Sequence, residues 1–471
     1  MLIDRYCEDR QIYHFVTGRD TCLFIIPKPT IPAPALTVYP VFYHPNPSNN
    51  GPGVTMNISR AHLLTRIFSI GLLCLAVFST GCGPESTPIV PADPGLLISH
   101  ELVSTYGDAE FELVRTLELD TFFTDAQMNA GDFRGGLAST YKKVALYRVA
   151  YETIIPELGN QKVLAYGLVA IPEGATNGAP VLSFQHGTAF SRGDAPTNFK
   201  GHMETKLALL QFASQGYIVV AADYVGNGPY SSEPNTYFVK GVSEQAMFDM
   251  HTASMSFLKK LNLTPGKLFL LGWSQGGYNT LLHFRKLERS GIEVAGVATA
   301  SGPGDPARGV IRSLFARRDF DAPYSAAATT NMMFAYENYY KIANCTKLFI
   351  RPEKYQLAKD FYDFKISFYD YLAGGGMNID SVYTPEFFET AKTLSHPFWD
   401  LYSQAECYRW LSKAPLRQYY SGRDEVVPAD LGKLAVDYQT SIGKTNATSH
   451  DAGPNADHRC VYVHTLIDAK A

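Results

Sequence analysis

Between residues 179 and 303, short unbroken apolar runs alternate with helix-forming stretches, and few architectures satisfy that alternation. The runs "APVLSFQ" (179–185), "YIVVAADYVGNG" (217–228), "GKLFLLGW" (266–273) and "EVAGVATASGP" (293–303) lack the polar-every-second-residue pattern of a half-exposed strand. A strand that is apolar on both sides is buried on both faces, as in a parallel sheet covered by helices. The intervening stretches supply the helices. Residues 205–216 place Leu207, Leu210 and Ala213 on one face, with Gly216 positioned to stop the helix. Residues 243–261 read as a long amphipathic helix opening at Ser243 and Glu244, and the stretch before Gly291 as a helix with basic last turns. The prediction is an α/β chain with a mostly parallel sheet and helices on both faces. Upstream, residues 141–154 and 162–172 alternate in strand fashion across "PELGN" and predict a hairpin. Residues 96–138 are expected to hold a short helix or two.

Residues 304–412 break the alternation. This stretch carries aromatic doublets at 339–340, 361–362, 368–369 and 387–388, and is too long for a simple connection. It is predicted to be a helical, aromatic-rich lid inserted into a core formed by 96–303 and 413–471. After it, "APLRQYYSGRDEVVP" resumes strand character, and a helix is expected at about 429–441.

The third apolar run ends in Gly272-Trp273-Ser274-Gln275-Gly276. The G-x-S-x-G pattern between a strand and a helix is a strained turn that exposes the serine hydroxyl above the sheet. A serine hydroxyl is a weak nucleophile without a base. In this kind of turn the acid and then the histidine follow along the chain. His283, His396, His450, His458 and His464 follow Ser274. His283 falls on the elbow helix and His396 precedes any suitable acid. Asp424, in the turn after a buried strand, is the expected acid, with Glu425 the neighbour that could be mistaken for it. His458 in "PNADHRC" is the expected base on a late loop, with His450 as competitor and His464 in the terminal helix. Asp457 is not assigned as the acid. Oxyanion donors are expected at the backbone N–H groups of Gln275 and Thr188, the latter in "QHGTAF" after the first run. His186 reads as a brace for that loop, and Asp223 as a structural residue bonded within its own loop.

Elbow, His-Gly loop, "DYVGNG" turn, late Asp and late His together resemble the α/β-hydrolase superfamily over about residues 140–471. The "GYIVVAADYVGNG" stretch and the large insertion are similar to its secretory-lipase-like branch. The resemblance implies an α/β-hydrolase fold and a serine esterase or lipase acting on small-molecule or lipid esters, with no cofactor and no metal. A serine peptidase of the same fold is the nearest rival, and a lipid-anchored binding protein with an inert serine the more distant one.

The N-terminal part reads differently. Residues 1–55 are Pro-rich, without sustained period, and are expected to be a disordered extension. From Met56, Arg60 and Arg66 precede an apolar run (67–78) too short to span a bilayer, and Ser79, Thr80 and Gly81 lead to Cys82. Residues 56–81 resemble a bacterial lipoprotein signal, departing from it at Ser79, where Leu is usual. That resemblance implies lipidation of Cys82, a tether over 82–95 and export to a membrane, with Gly83 favouring the outer one; the alternatives are an ordinary signal peptide, giving a secreted chain, and a buried apolar helix. In an exported chain Cys345 and Cys407, both in the insertion, are the candidates for a disulfide, the alternative being three buried free thiols with Cys460. A net charge of −4 without blocks of like charge gives no reason to expect a nucleic-acid partner. The 46% of hydrophobic residues is enough for a substantial core.

Overall fold

The computed structural model describes the backbone of residues 5–7, 10–17 and 20–27, and residues 95–123, 126–323 and 325–470. The chain divides into two units, Met1–Ile89 and Val90–Ala471. In the first, β1 (Arg5–Cys7), β2 (Arg10–Thr17) and β3 (Asp20–Pro27) form an antiparallel sheet. For these strands the expectation of disorder is corrected, while residues 28–55 lie outside the described residues. β2 and β3 are dense in β-branched and aromatic residues such as Ile12, Tyr13, Phe15, Val16, Phe24 and Ile25, and they pair antiparallel from Arg10 opposite Pro27 to Thr17 opposite Asp20. Cys82 and its signal-like segment lie outside the described residues.

The second unit is built on nine strands: β4 (Leu97–Tyr106), β5 (Val144–Ile155), β6 (Gln161–Pro172), β7 (Val181–Gln185), β8 (Ile218–Ala222), β9 (Leu268–Trp273), β10 (Gly296–Ala300), β11 (Leu416–Tyr420) and β12 (Ala447–Asp451). Their order is β12-β11-β10-β9-β7-β8-β6-β5-β4. Neighbours from β12 to β8 are parallel, and β6, β5 and β4 attach antiparallel. The apolar runs are unbroken for the expected reason. In β8, Ile218, Val220 and Ala222 pack into one core cluster, while Val219 and Ala221 pack into the other. Helix α1 (Met203–Gln211) contributes to the second cluster, and α2 (Lys240–Lys260) and α3 (Gln275–Arg289) to the first. Helix α4 (His458–Asp468) closes the second. No helix among the described residues is long and apolar enough to cross a membrane.

Two local expectations change. Residues 97–106 form edge strand β4 ahead of the short helices Asp108–Leu113, Leu119–Phe122 and Ala130–Arg134. Register shifts at Leu97/Ser99 and Leu102/Ser104, and exposed Ile98 and Leu102, erase the period that would have marked the strand. Helix α2 begins at Lys240, one turn before Ser243. Its orphan N–H groups at Gly241 and Val242 are capped by the Glu157 carboxylate from the β5–β6 turn, at 2.7 and 3.1 Å. A remote carboxylate thus does what a local serine was expected to do.

The insertion is helical, from Pro306–Phe315 to Pro397–Ser403. Its tyrosines bury their rings and spend their hydroxyls on core carbonyls: Tyr339 on Pro234 (2.7 Å), Tyr362 on Asn235 (2.7 Å) and Tyr336 on Phe238 (3.3 Å). Returning bonds run from Tyr278 to Ala405 (2.9 Å) and from Lys240 to Gln404 and Glu406 (2.7 and 2.6 Å). All three late cysteines are free and buried, so the Cys345–Cys407 pairing is corrected. Cys407 donates to the carbonyl of Gly304 at 3.5 Å, whereas Cys345 opens a separate helix, Cys345–Phe349. Burial pushes both thiols up.

Replacing Glu157 by Ala is expected to lower the unfolding free energy by about 1–2 kcal/mol, the usual cost of a lost cap. Glu157→Gln, which keeps one acceptor oxygen, should cost less. Urea unfolding of both variants measures it; equal loss would mean that the cap is not the source.

Candidate active site

β9 ends at Trp273 and α3 begins at Gln275, leaving Ser274 between them at φ 56°, ψ −122°. For a residue with a Cβ this backbone is strained, at a cost of about 1–3 kcal/mol. Two bonds hold it. The Ser274 N–H donates to Ala300 on β10 at 2.9 Å, and the Tyr278 N–H closes the first turn onto the Ser274 carbonyl at 3.2 Å. The flanking glycines are required by space. A Cβ on Gly276 would lie 2.0 Å from the Gln185 carbonyl oxygen of β7, and one on Gly272 would lie 2.2 Å from the Gly276 carbonyl oxygen.

That contact also explains why the His-Gly loop meets the elbow. β7 and β9 are hydrogen-bonded neighbours, with Gln185 opposite Gly272. The chain goes outward from β7 to β8, then returns across β7 to β9. The order reverses here, and ligands of open α/β sheets bind outside the strand ends at such a point. Thr188 and Ser274 accordingly line one cavity of about 360 Å³. The N–H groups of Gln275 and Thr188 donate to no acceptor among the described residues. Three groups hold the loop. The Gly187 N–H donates to the Glu204 carboxylate (2.6 Å), the Thr188 hydroxyl shares a bond with Tyr237 (3.1 Å), and His186 lies stacked on Tyr224 with its ring nitrogens 2.8 and 3.3 Å from the Gly187 and Asp223 carbonyls. Burial pushes His186 down to about 4, so it is uncharged at neutral pH. Asp223 pins Thr197 in a different loop rather than its own, and burial raises it to about 7.

At the end of β11, Asp424 is fully buried. One of its oxygens accepts from the Val426 and Val427 N–H groups at 2.9 and 2.8 Å, and the His458 Nδ1 sits 3.1 and 3.0 Å from the two oxygens. Burial disfavours the imidazolium, but the Asp424 carboxylate outweighs it and holds His458 above its ordinary value. Burial likewise pushes Asp424 up, and His458 with the Val427 N–H brings it below its ordinary value. His458 is the first residue of α4 rather than a loop residue. Asp457 is the N-cap, accepting from Cys460 at 3.0 Å, and Glu425 accepts from the His458 N–H at 2.9 Å. The neighbour carboxylate thus fixes the backbone of His458 while Asp424 fixes its ring.

The other histidines are elsewhere. His450 lies on β12, stacked on Tyr419 and bonded to Thr448. His464 faces the same tyrosine, His283 is buried within α3, and His396 caps a helix of the insertion. His458 and Ser274 both line the cavity, with Phe190, Tyr237, Phe368 and Val427 among its apolar walls.

Three participants were not foreseen. Trp273 donates its Nε1–H to the His458 carbonyl (3.0 Å) and its ring lies 4.9 Å from the imidazole. A large side chain at the first x of G-x-S-x-G was its only signal. Glu204 carried none, since a carboxylate in the first turn of a helix reads as a favourable dipole partner. Arg318 donates to the Asp424 carbonyl (2.6 Å) and so ties the start of the insertion to the acid turn.

Known structures agree with this architecture. The prolyl oligopeptidase family profile matches residues 202–298. No curated protein sequence matches the chain. Among solved structures, a candidate hydrolase from Legionella pneumophila superposes with a TM-score of 0.68 at 20% identity, covering 79% of this chain and 96% of its own. The rice cell wall degrading esterase LipA from Xanthomonas oryzae gives 0.66 at 20% identity, covering 80% and 96%. Candida antarctica lipase A gives 0.54 at 16% identity, covering 78% of each chain. The chain has the α/β-hydrolase fold.

Gly276→Ala is expected to lower the unfolding free energy by about 3 kcal/mol or more, since the new methyl meets backbone on β7. Gly422→Ala, where a Cβ meets nothing within 4 Å, should stay within about 0.5 kcal/mol. Denaturant unfolding of the two variants checks the contrast.

Proposed function

We propose that the chain is a serine hydrolase of carboxylic esters. The observation that carries this reading is the buried Asp424–His458 pair beside a cavity lined by a serine held in a strained strand-to-helix turn. In the proposed cycle His458 Nε2 takes the Ser274 proton as Oγ attacks the ester carbonyl. Asp424 holds the imidazole by Nδ1 and stabilises its charged form. The negative charge that develops on the carbonyl oxygen is met by the N–H groups of Gln275 and Thr188. The imidazolium then protonates the departing alcohol oxygen, leaving an acyl-serine. Water, deprotonated by His458, adds to the acyl carbonyl and releases the acid with Ser274 restored. The apolar walls suit an acyl chain or aromatic acid.

A second reading keeps the same residues and cleaves peptides, and the prolyl oligopeptidase match over residues 202–298 favours it. A fluorophosphonate probe with a panel of esters and aminoacyl amides separates the possibilities. The expected result is labelling that disappears in Ser274→Ala, with esters turned over faster than amides. Labelling that survives Ser274→Ala defeats the hydrolase reading, and faster amide cleavage replaces it with the peptidase one.

The base acts only when neutral, and His458 is raised above its usual 6.5. The acid limb of kcat/KM is therefore expected above pH 6.5. In Asp424→Asn the attraction is gone and burial remains, so the limb should move to lower pH while kcat falls by about 10³–10⁴-fold. A limb that stays put would show that Asp424 does not face the base during turnover.

A further inference from the structure

Among the described residues Arg459 is the only lysine or arginine lining the cavity, and it is the residue next to the proposed base. It is half-buried in the first turn of α4, where the helix dipole disfavours a cation. No carboxylate pairs with it among the described residues. Its guanidinium lies 5.5 Å from the centroid of the Phe122 ring, and Nη1 donates to the Phe122 carbonyl at 2.9 Å. These two contacts hold the planar fork in place and use one of its five N–H donors. Glu204, the one carboxylate lining the cavity among the described residues, is bonded to the Gly187 N–H and makes no ion pair with Arg459. Arg459 thus gives a mostly apolar lining an oriented guanidinium that makes no ion pair among the described residues.

Such a group recognises a planar anion through paired, charge-assisted hydrogen bonds. Its place says which part of the substrate carries the anion. His458 must reach the leaving oxygen, so the alcohol part of the ester lies against the first turn of α4, where Arg459 follows directly. Resting on the ester-hydrolase reading above, we propose that Arg459 is a specificity residue that binds a carboxylate on the alcohol part, so that the preferred substrates are esters of hydroxy acids.

The test compares 4-acetoxybenzoate with the neutral 4-acetoxybenzamide as substrates of the full chain. The measured quantity is the ratio of their kcat/KM values, which cancels loss of folded protein. The ratio is expected to fall by about tenfold or more in Arg459→Gln and by less in Arg459→Lys, which keeps the charge without the fork. In the wild type it should also fall as salt rises from 0.05 to 0.5 M. An equal ratio in wild type and Arg459→Gln overturns the proposal. So does an Arg459-dependent preference confined to charge on the acyl side, read with mono-p-nitrophenyl glutarate against p-nitrophenyl butyrate. Ser274→Ala separates this failure from that of the parent reading: turnover undiminished in Ser274→Ala defeats the hydrolase itself. Turnover that needs Ser274 but ignores charge defeats only the role of Arg459.

Discussion

The approach of Gly276 to the Gln185 carbonyl is the contact on which the rest of the site depends. Only a residue without Cβ lets α3 start so close to β7. That closeness puts Ser274 and the Gly187–Thr188 loop at one end of the sheet. It also forces the backbone of Ser274 out of the ordinary regions, and the sheet sustains the strain through the bond to Ala300. A serine placed by backbone packing does not need its own side chain to be held.

Asp424 and His458 are placed by a different logic. Asp424 takes two N–H groups of its own turn and the imidazole of His458, so a fully buried carboxylate keeps its charge. Burial alone would neutralise both partners, and each is held ionisable by the other. Around this pair, Glu425 fixes the His458 backbone and Arg318 fixes the Asp424 carbonyl. The insertion thus braces the acid turn as well as walling the cavity. Its tyrosines show why this insertion is aromatic but seldom purely apolar: the rings fill space and the hydroxyls satisfy carbonyls of Pro234, Asn235 and Phe238 that the insertion would otherwise strand.

Much of this was readable without coordinates. The parallel strands announced themselves because both faces are buried, and the elbow because its glycines sit between a strand and a helix. β4 was not readable, since bulges and exposure remove its period. The start of α2 leaves no local signal because its cap comes from Glu157, about 80 residues upstream of the helix. The pairing of β2 with β3 leaves a trace in their β-branched content, which the Pro-rich composition of the following stretch outweighs when residues 1–55 are read together.

By itself the sequence determined the layers, the order of the strands' neighbours in the chain and the serine at the turn, because burial leaves a local period in residue type. Only the tertiary structure decided which late histidine meets Asp424, that Trp273 and Glu204 belong to the site, and that Cys345 and Cys407 stay apart. Those are contacts between residues distant in the chain, and such contacts impose no period on the residues between them.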